Sequence, residues 1–213
     1  MTRLLVVAEG LTEVNFVAQV LKPHLEGRAP ERLTVSAPNL KGRNTYAQLR
    51  KFVKNLLGSH GSAVIVTTMI DLFGVPQDFP GLAETSVQAP IERVRQLEQQ
   101  CNHDVGDGRF FAYLQVHEFE ALLLANLTLL AEQHPNRREE ICRLAARLDR
   151  EFQSPEHVNR LRPPSYWIKD VVPEYHKVTD GPTTASRIGL GKLRERCPHF
   201  GDWLERLEDI ARG

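Results

Sequence analysis

Met1-Thr2-Arg3-Leu4-Leu5-Val6-Val7-Ala8-Glu9-Gly10-Leu11-Thr12-Glu13 opens the chain, and its reading decides the fold. Leu4 to Ala8 is an unbroken apolar run; with no alternation to leave one face to water, it reads as a strand buried on both faces of a parallel sheet. The run stops at a carboxylate. Gly10 permits a sharp turn out of the sheet, and Thr12 is a natural N-cap for the helical stretch that follows. Glu9 is therefore expected at the carboxyl end of a central strand, where open α/β sheets place their ligands. Glu13, one helical turn on, can face the same crevice, although an acid there also serves as an ordinary dipole-capping charge. Glu9 has no such simple role, because a carboxylate ending an apolar strand is costly to bury without a metal or hydrogen-bonding partner.

The same junction recurs twice. Ala63 to Ile70, rich in Val, Ile and Thr, ends at Asp71, and Phe110 to Val116 runs into His117-Glu118-Phe119-Glu120. Leu33 to Ala37, stopped by Pro38, is a further short strand. Between them the apolar spacing predicts helices over Thr12–Leu25, with Pro23 stopping or bending the last turn, Thr45–Leu57, closed by Gly58 and Gly61, Ile91–Gln100, and Ala121–Leu130. His103 to Gly108 reads as a turn, and two prolines and two glycines make Leu72 to Gly81 a stiff loop. Right-handed crossovers bring parallel strands back pointing the same way, so the acidic junctions belong on one edge.

From about Asn136 the strand pattern gives way to helices: Arg137–Arg150, a segment starting at Ser154-Pro155-Glu156, and closing helices over Thr184–Arg196 and Asp202–Ala211 with Trp203, Leu204 and Leu207 turned inward. Asp180-Gly181-Pro182 reads as a turn. The expected organisation is an α/β core over 1–135 and a helical extension over 136–213, packed together as one domain. Arg160, Arg162, Lys169 and Lys177 alternate with Tyr166, Trp167 and Tyr175, a mixture that suits a phosphate backbone with stacked bases and equally suits a loop packed on a domain edge. Gly189-Leu190-Gly191-Lys192 lacks the strand and spacing of a phosphate loop and reads as helix.

Lys and Arg together number 27, as do Asp and Glu, so there is no overall basic field, and any nucleic-acid binding needs a local patch. Cys101, Cys142 and Cys197 are odd in number and far apart, which excludes a disulfide framework or thiolate zinc site and leaves small, buried or half-buried hydrophobes. No cleavable leader or membrane-length apolar run is visible, so a soluble, cytoplasmic protein is expected. A nucleophile elbow, a Walker A loop and a dinucleotide fingerprint are all missing.

What remains is the acids. Glu9, Glu13, Asp71, Glu118 and Glu120 are hard oxygen donors that would repel one another on one sheet edge unless protonated or bridged by a divalent cation, with Mg²⁺ or Mn²⁺ the natural guest. Such sites serve in-line phosphodiester cleavage. His117 could act as base or ligand, or simply be hydrogen-bonded.

Glu9-Gly10-x-Thr12-Glu13 followed by a helix, a strand ending in Asp71 and an acidic strand end resembles the Toprim fold of topoisomerases, primases and overcoming-lysogenization-defect nucleases. Over nearly its whole length the chain resembles a Toprim-like bacterial family, domain of unknown function 4276. The resemblance lies in Val66-Thr67-Thr68-Met69-Ile70-Asp71-Leu72-Phe73-Gly74-Val75-Pro76, Asp78-Phe79-Pro80-Gly81, His117-Glu118-Phe119-Glu120-Ala121-Leu122-Leu123, Ser154-Pro155-Glu156, and Cys197-Pro198-His199-Phe200 before Trp203. It implies a four-stranded, mostly parallel sheet between helices, with a divalent metal at the strand ends. Glu9 would be a general acid/base or metal ligand, Glu13, Asp71 and Glu120 metal ligands, and Glu118 a support. The implied activity is nucleic-acid cleavage, DNA or RNA, in a phage-defence setting with a separately encoded ATPase partner. The alternative is a non-catalytic binding subunit of that ATPase. Two departures stand out: Phe73 occupies the second acid position of the usual D-x-D, which Asp78 could replace only if the Pro76 loop folds back, and no basic run follows Pro164-Ser165. Lys169, Lys177, Arg187 and Lys192 are the candidate phosphate-gripping residues.

Overall fold

The structure, a computed structural model, describes residues 1–59, 61–83, 89–158 and 162–213; Arg160, among the expected basic residues, lies outside them. Strand β1 (Thr2–Ala8) runs parallel to β2 (Leu33–Ser36) on one side and to β3 (Val64–Asp71) on the other. Leu4 and Val6 enter a core shared with Phe16, Leu21, Phe119 and Leu204, while Leu5 and Val7 enter a second core with Val53, Val66, Val94 and Leu97. Both faces are covered, which is why the strand has no polar alternation. Each such side chain contributes roughly 1.5–3 kcal/mol through burial.

Helix α1 (Leu11–Phe16) does not stop at Pro23. It passes through one π turn, Val17–Leu21, into α2 (Lys22–Arg28), whose first turn holds Pro23, where a missing N–H costs least. Its cap is Gly10 rather than Thr12: Thr12 is buried, and the Glu13 carboxylate accepts the Gly10 N–H at 3.0 Å. Helix α3 (Tyr46–Ser59) begins where Asp78 Oδ1 accepts the Tyr46 N–H at 2.9 Å. Helix α4 (Pro90–Val105) runs through the expected turn at His103 and ends at Gly106, φ 64°, a left-handed C-cap.

The expected strand over 110–116 is split into β4 (Phe110–Phe111) and β5 (Leu114–Gln115), both parallel to β3, giving a sheet of five strands among the described residues. Between them Thr68 Oγ1 donates to the Tyr113 carbonyl and accepts the Tyr113 N–H, each at 2.8 Å, so a side chain stands in for the ladder. The Ala112 and Leu114 N–H groups donate to Asn102 and Glu98 of α4, both at 2.7 Å. The helix expected over Ala121–Leu130 is only one α turn, α5 (Glu120–Leu123), followed by 3₁₀ turns to Glu132 with a kink at Asn126.

Helices α6 (Arg138–Glu151), α7 (Pro164–Val171), α8 (Lys177–Ile188), α9 (Leu190–Arg196) and α10 (Pro198–Arg212) complete the chain. Asp180-Gly181-Pro182 is not a turn but the first half of α8. The expected closing helix over 184–196 breaks at Gly189, φ 78°, a conformation open to glycine. Cys101 and Cys197 are buried as expected, but Cys142 is exposed on α6. The two family segments at 154–156 and 197–200 meet: Glu156, fully buried, accepts the N–H groups of His199 at 2.8 Å and Phe200 at 3.0 Å and so caps α10. No helix among the described residues is long and apolar enough to cross a membrane.

Candidate carboxylate site

Three chain segments deliver acids to the carboxyl ends of the strands. Glu9 continues β1, its N–H bonded to the Met69 carbonyl at 3.1 Å; Asp71 ends β3; Glu118 and Glu120 follow β5. Glu13 arrives from α1. Each directs an oxygen at a nearby donor: Glu9 Oε2 accepts the Asp71 N–H at 2.9 Å, Asp71 Oδ1 the Gly74 N–H at 2.5 Å, Glu118 Oε2 the Ser165 N–H at 3.1 Å, and Glu120 Oε1 the Tyr175 hydroxyl at 3.4 Å. Gly74 makes room for the Glu9 carboxylate as it lies: a Cβ at this position would fall 2.5 Å from Glu9 Oε1, so any other residue must shift that side chain.

The acids share one electrostatic neighbourhood. Burial, then the Asp71 carboxylate, raises the Glu9 carboxyl to about 7, with Glu13 adding to the rise. Glu13, Asp71 and Glu120 are also held above the ordinary carboxyl range, in each case chiefly by burial; Asp71 repels Glu13, and Glu118 repels both Asp71 and Glu120. These are the marks of a site short of positive charge.

Lys177, the first residue of α8, answers part of that shortage. Its Nζ lies 3.5 Å from Glu120 Oε2, and Asn15 of α1 holds the adjacent turn through the Val178 carbonyl at 3.0 Å. Burial would lower its pKa, yet Glu120, Glu13, Glu118 and Asp71 together hold it above the usual lysine value. Glu120 itself is wholly buried, and the Lys177 ammonium at 3.5 Å is what faces its Oε2.

A cavity of about 390 Å³ opens on this group, lined by Glu9, Asp71, Phe73, Gly74, His117, Glu118, Pro163 and Pro164. His117 is buried, its ring stacked on Phe73 with centroids 6.1 Å apart. Asp78 does not fold back toward Asp71 as a substitute acid; its carboxylate is engaged at the start of α3. Of the four expected phosphate-gripping cations, Lys177 alone joins the carboxylates. Arg187 pairs with Glu132 at 3.3 Å, Lys192 pairs with Glu195 at 2.9 Å, and Lys169 is exposed on α7. Among the described residues no three His, Cys, Asp or Glu side chains stand together as a ready-made metal cage.

Sequence reasoning did not single out Lys177 from the other three cations, nor Gly74 and the Pro163-Pro164 wall. Lys177 is distinguished only by a helix starting on it beside α1, a tertiary fact. Gly74 left a usable signal, a glycine three residues past the strand-ending acid.

A family model described as domain of unknown function (DUF4276) matches residues 8–208. The chain belongs to that family. Among solved structures, this DUF4276 chain is similar to the C-terminal region of the Xanthomonas campestris pv. campestris OLD protein at 18% identity and a TM-score of 0.51, covering 100% of this chain and 97% of that one. The C-terminal region of the Burkholderia pseudomallei OLD protein aligns at 16% identity and a TM-score of 0.48 over 99% of both chains. No curated protein sequence matches significantly. The fold is thus the α/β, Toprim-like one that the resemblance of the several segments implied: a mostly parallel sheet flanked by helices, with further helices at the C-terminal end.

Proposed function

We propose that this chain is a nuclease hydrolysing nucleic-acid phosphodiesters with Mg²⁺ or Mn²⁺ as cofactor. The observation that carries the reading is the concentration of mutually repelling carboxylates at one strand edge, with Glu9 raised to about 7 beside a cavity. A hard divalent cation fits this donor set, being all oxygen and underneutralised, with Lys177 the one ammonium set against several buried carboxylates. Glu9, Glu13, Asp71 and Glu120 would hold it, with Glu118 in support; when bound, it supplies charge neutralisation at the phosphate and a more acidic water.

The protein's own groups do the rest. Where Glu9 serves as general acid/base instead of as a ligand, its carboxylate can take a proton from an attacking water and return it to a leaving oxygen. Gly74 keeps the space beside its carboxylate clear. Lys177 offsets negative charge that substrate binding adds, and the cavity wall limits water around the reacting group.

Glu9→Ala and Asp71→Ala should each lower Mg²⁺- or Mn²⁺-dependent cleavage of DNA or RNA by roughly a hundredfold or more while preserving the circular dichroism spectrum. Cleavage at the parental rate by either variant overturns the reading. A second reading, a binding subunit of a separately encoded ATPase that has lost catalysis, is favoured by Phe73 at the second acid position and by the lack of a preformed cage among the described residues. Tight ATPase binding with no cleavage under any divalent cation would select it. In either case we propose an ATPase partner and a phage-defence setting, which the family resemblance implies.

A further inference from the structure

Single exposed apolar side chains are ordinary on a protein surface, whereas several around one site are not. Apart from Met1, the large apolar residues exposed among the described residues are Leu11 at 60%, Phe73 at 58%, Tyr166 at 51% and Val178 at 37%. Each sits on a segment that builds the carboxylate site. Leu11 follows Gly10, Phe73 stands between Asp71 and Gly74, Tyr166 lies in the first turn of α7 just past cavity-lining Pro164, and Val178 adjoins Lys177.

Phe73 is the most telling. Its ring lies offset-stacked beside His117, centroids 6.1 Å and planes 26° apart, while most of the residue stays open. Within the cavity it stands with Pro163 and Pro164 as apolar lining beside the carboxylates of Glu9, Asp71 and Glu118. The Arg162 guanidinium lies 5.4 Å from the Tyr166 ring centroid, a second flat surface on the residues flanking cavity-lining Pro163 and Pro164. A cavity of about 390 Å³, part acidic and part apolar, suits one nucleotide unit: a phosphate toward the acids and their cation, a base against the ring. A base inside a duplex has both faces stacked on neighbours and offers neither to a phenyl ring.

We propose that Phe73 is a stacking platform for an unpaired nucleobase beside the scissile phosphate, so that the site selects single-stranded or frayed nucleic acid. This rests on the nuclease reading above. Phe73 is a positioning residue; it touches the base and takes no part in the proton transfers.

The test measures anisotropy of fluorescent oligonucleotides with the full chain in Ca²⁺: a single strand, a duplex of equal length, and an abasic single strand of equal phosphate count. Wild type should prefer the base-bearing single strand by about tenfold over both others. Phe73→Ala should remove that preference without weakening abasic binding or lowering the melting temperature, and Phe73→Trp should restore it. Equal binding of duplex and single strand by wild type, or equal weakening of base-bearing and abasic strands in Phe73→Ala, overturns the inference, as does failure of all three to bind. Cleavage assays run in parallel separate the two claims: base-selective binding without Mg²⁺- or Mn²⁺-dependent cleavage defeats the nuclease reading and leaves Phe73's role, whereas cleavage indifferent to bases defeats the Phe73 inference alone.

Discussion

Glu9 titrates near 7 in the folded chain against 4.5 for a free glutamate, so the folded state holds this proton more tightly than the unfolded one. Without a divalent cation its contribution to stability is therefore favourable below about 4.5 and declines as pH rises toward 7. Glu9→Gln keeps an acceptor for the Asp71 N–H while removing the charge; its melting temperature in chelator should exceed wild type at pH 8 and match it at pH 4, as read by calorimetry. Lys177→Met predicts the opposite sign. It strips the partner from a buried Glu120, so melting should fall at pH 8 by several degrees and recover in acid, where Glu120 is neutral.

Among the elements, β1 and β3 were legible because an apolar run bounded by an acid has few other meanings. The β4–β5 interruption was not, since it depends on the Thr68 hydroxyl replacing a backbone ladder across 45 residues of sequence. Thr68→Val is nearly isosteric, yet it should cost about 2–3 kcal/mol in urea unfolding by leaving both Tyr113 backbone groups unpaired. The break at Gly189 and the run of α8 through Pro182 were likewise hidden: Pro182 sits only a turn and a half into the helix, and a Gly-Pro pair in isolation signals a turn. The acids of the site could be named from their strand ends, but their counter-ion could not, because Lys177 reaches them only through the packing of α8 on α1. Ser154-Pro155-Glu156 and Cys197-Pro198-His199-Phe200 were recognisable as motifs without a visible purpose. Their purpose is each other. Glu156→Ala should destabilise α10 by about 1–2 kcal/mol, with faster amide exchange at His199 and Phe200 as the local readout.

For the molecule as a whole, the underneutralised strand edge makes stability and ligation one equilibrium. Mg²⁺ or Mn²⁺ should raise the melting temperature, by more at pH 8 than at pH 5, because cation and protons compete for the same oxygens. Calorimetric titration in buffers of different ionisation enthalpy should show proton release near neutrality. A melting temperature indifferent to either ion at pH 8 would detach the acids from any metal role. The core that must withstand this strain runs on the α1 side from Leu4 of β1 to Ala211 of α10, so both ends of the chain contribute to the platform beneath the site.

The missing side chain at position 74 has one last implication. A saturation scan of this segment should find residue 74 sensitive in activity and not in folding, alanine included, because any Cβ there shifts the Glu9 carboxylate while glycine itself supplies no chemistry. Its role is vacancy, and a single methyl group would evict the Glu9 carboxylate from where it lies.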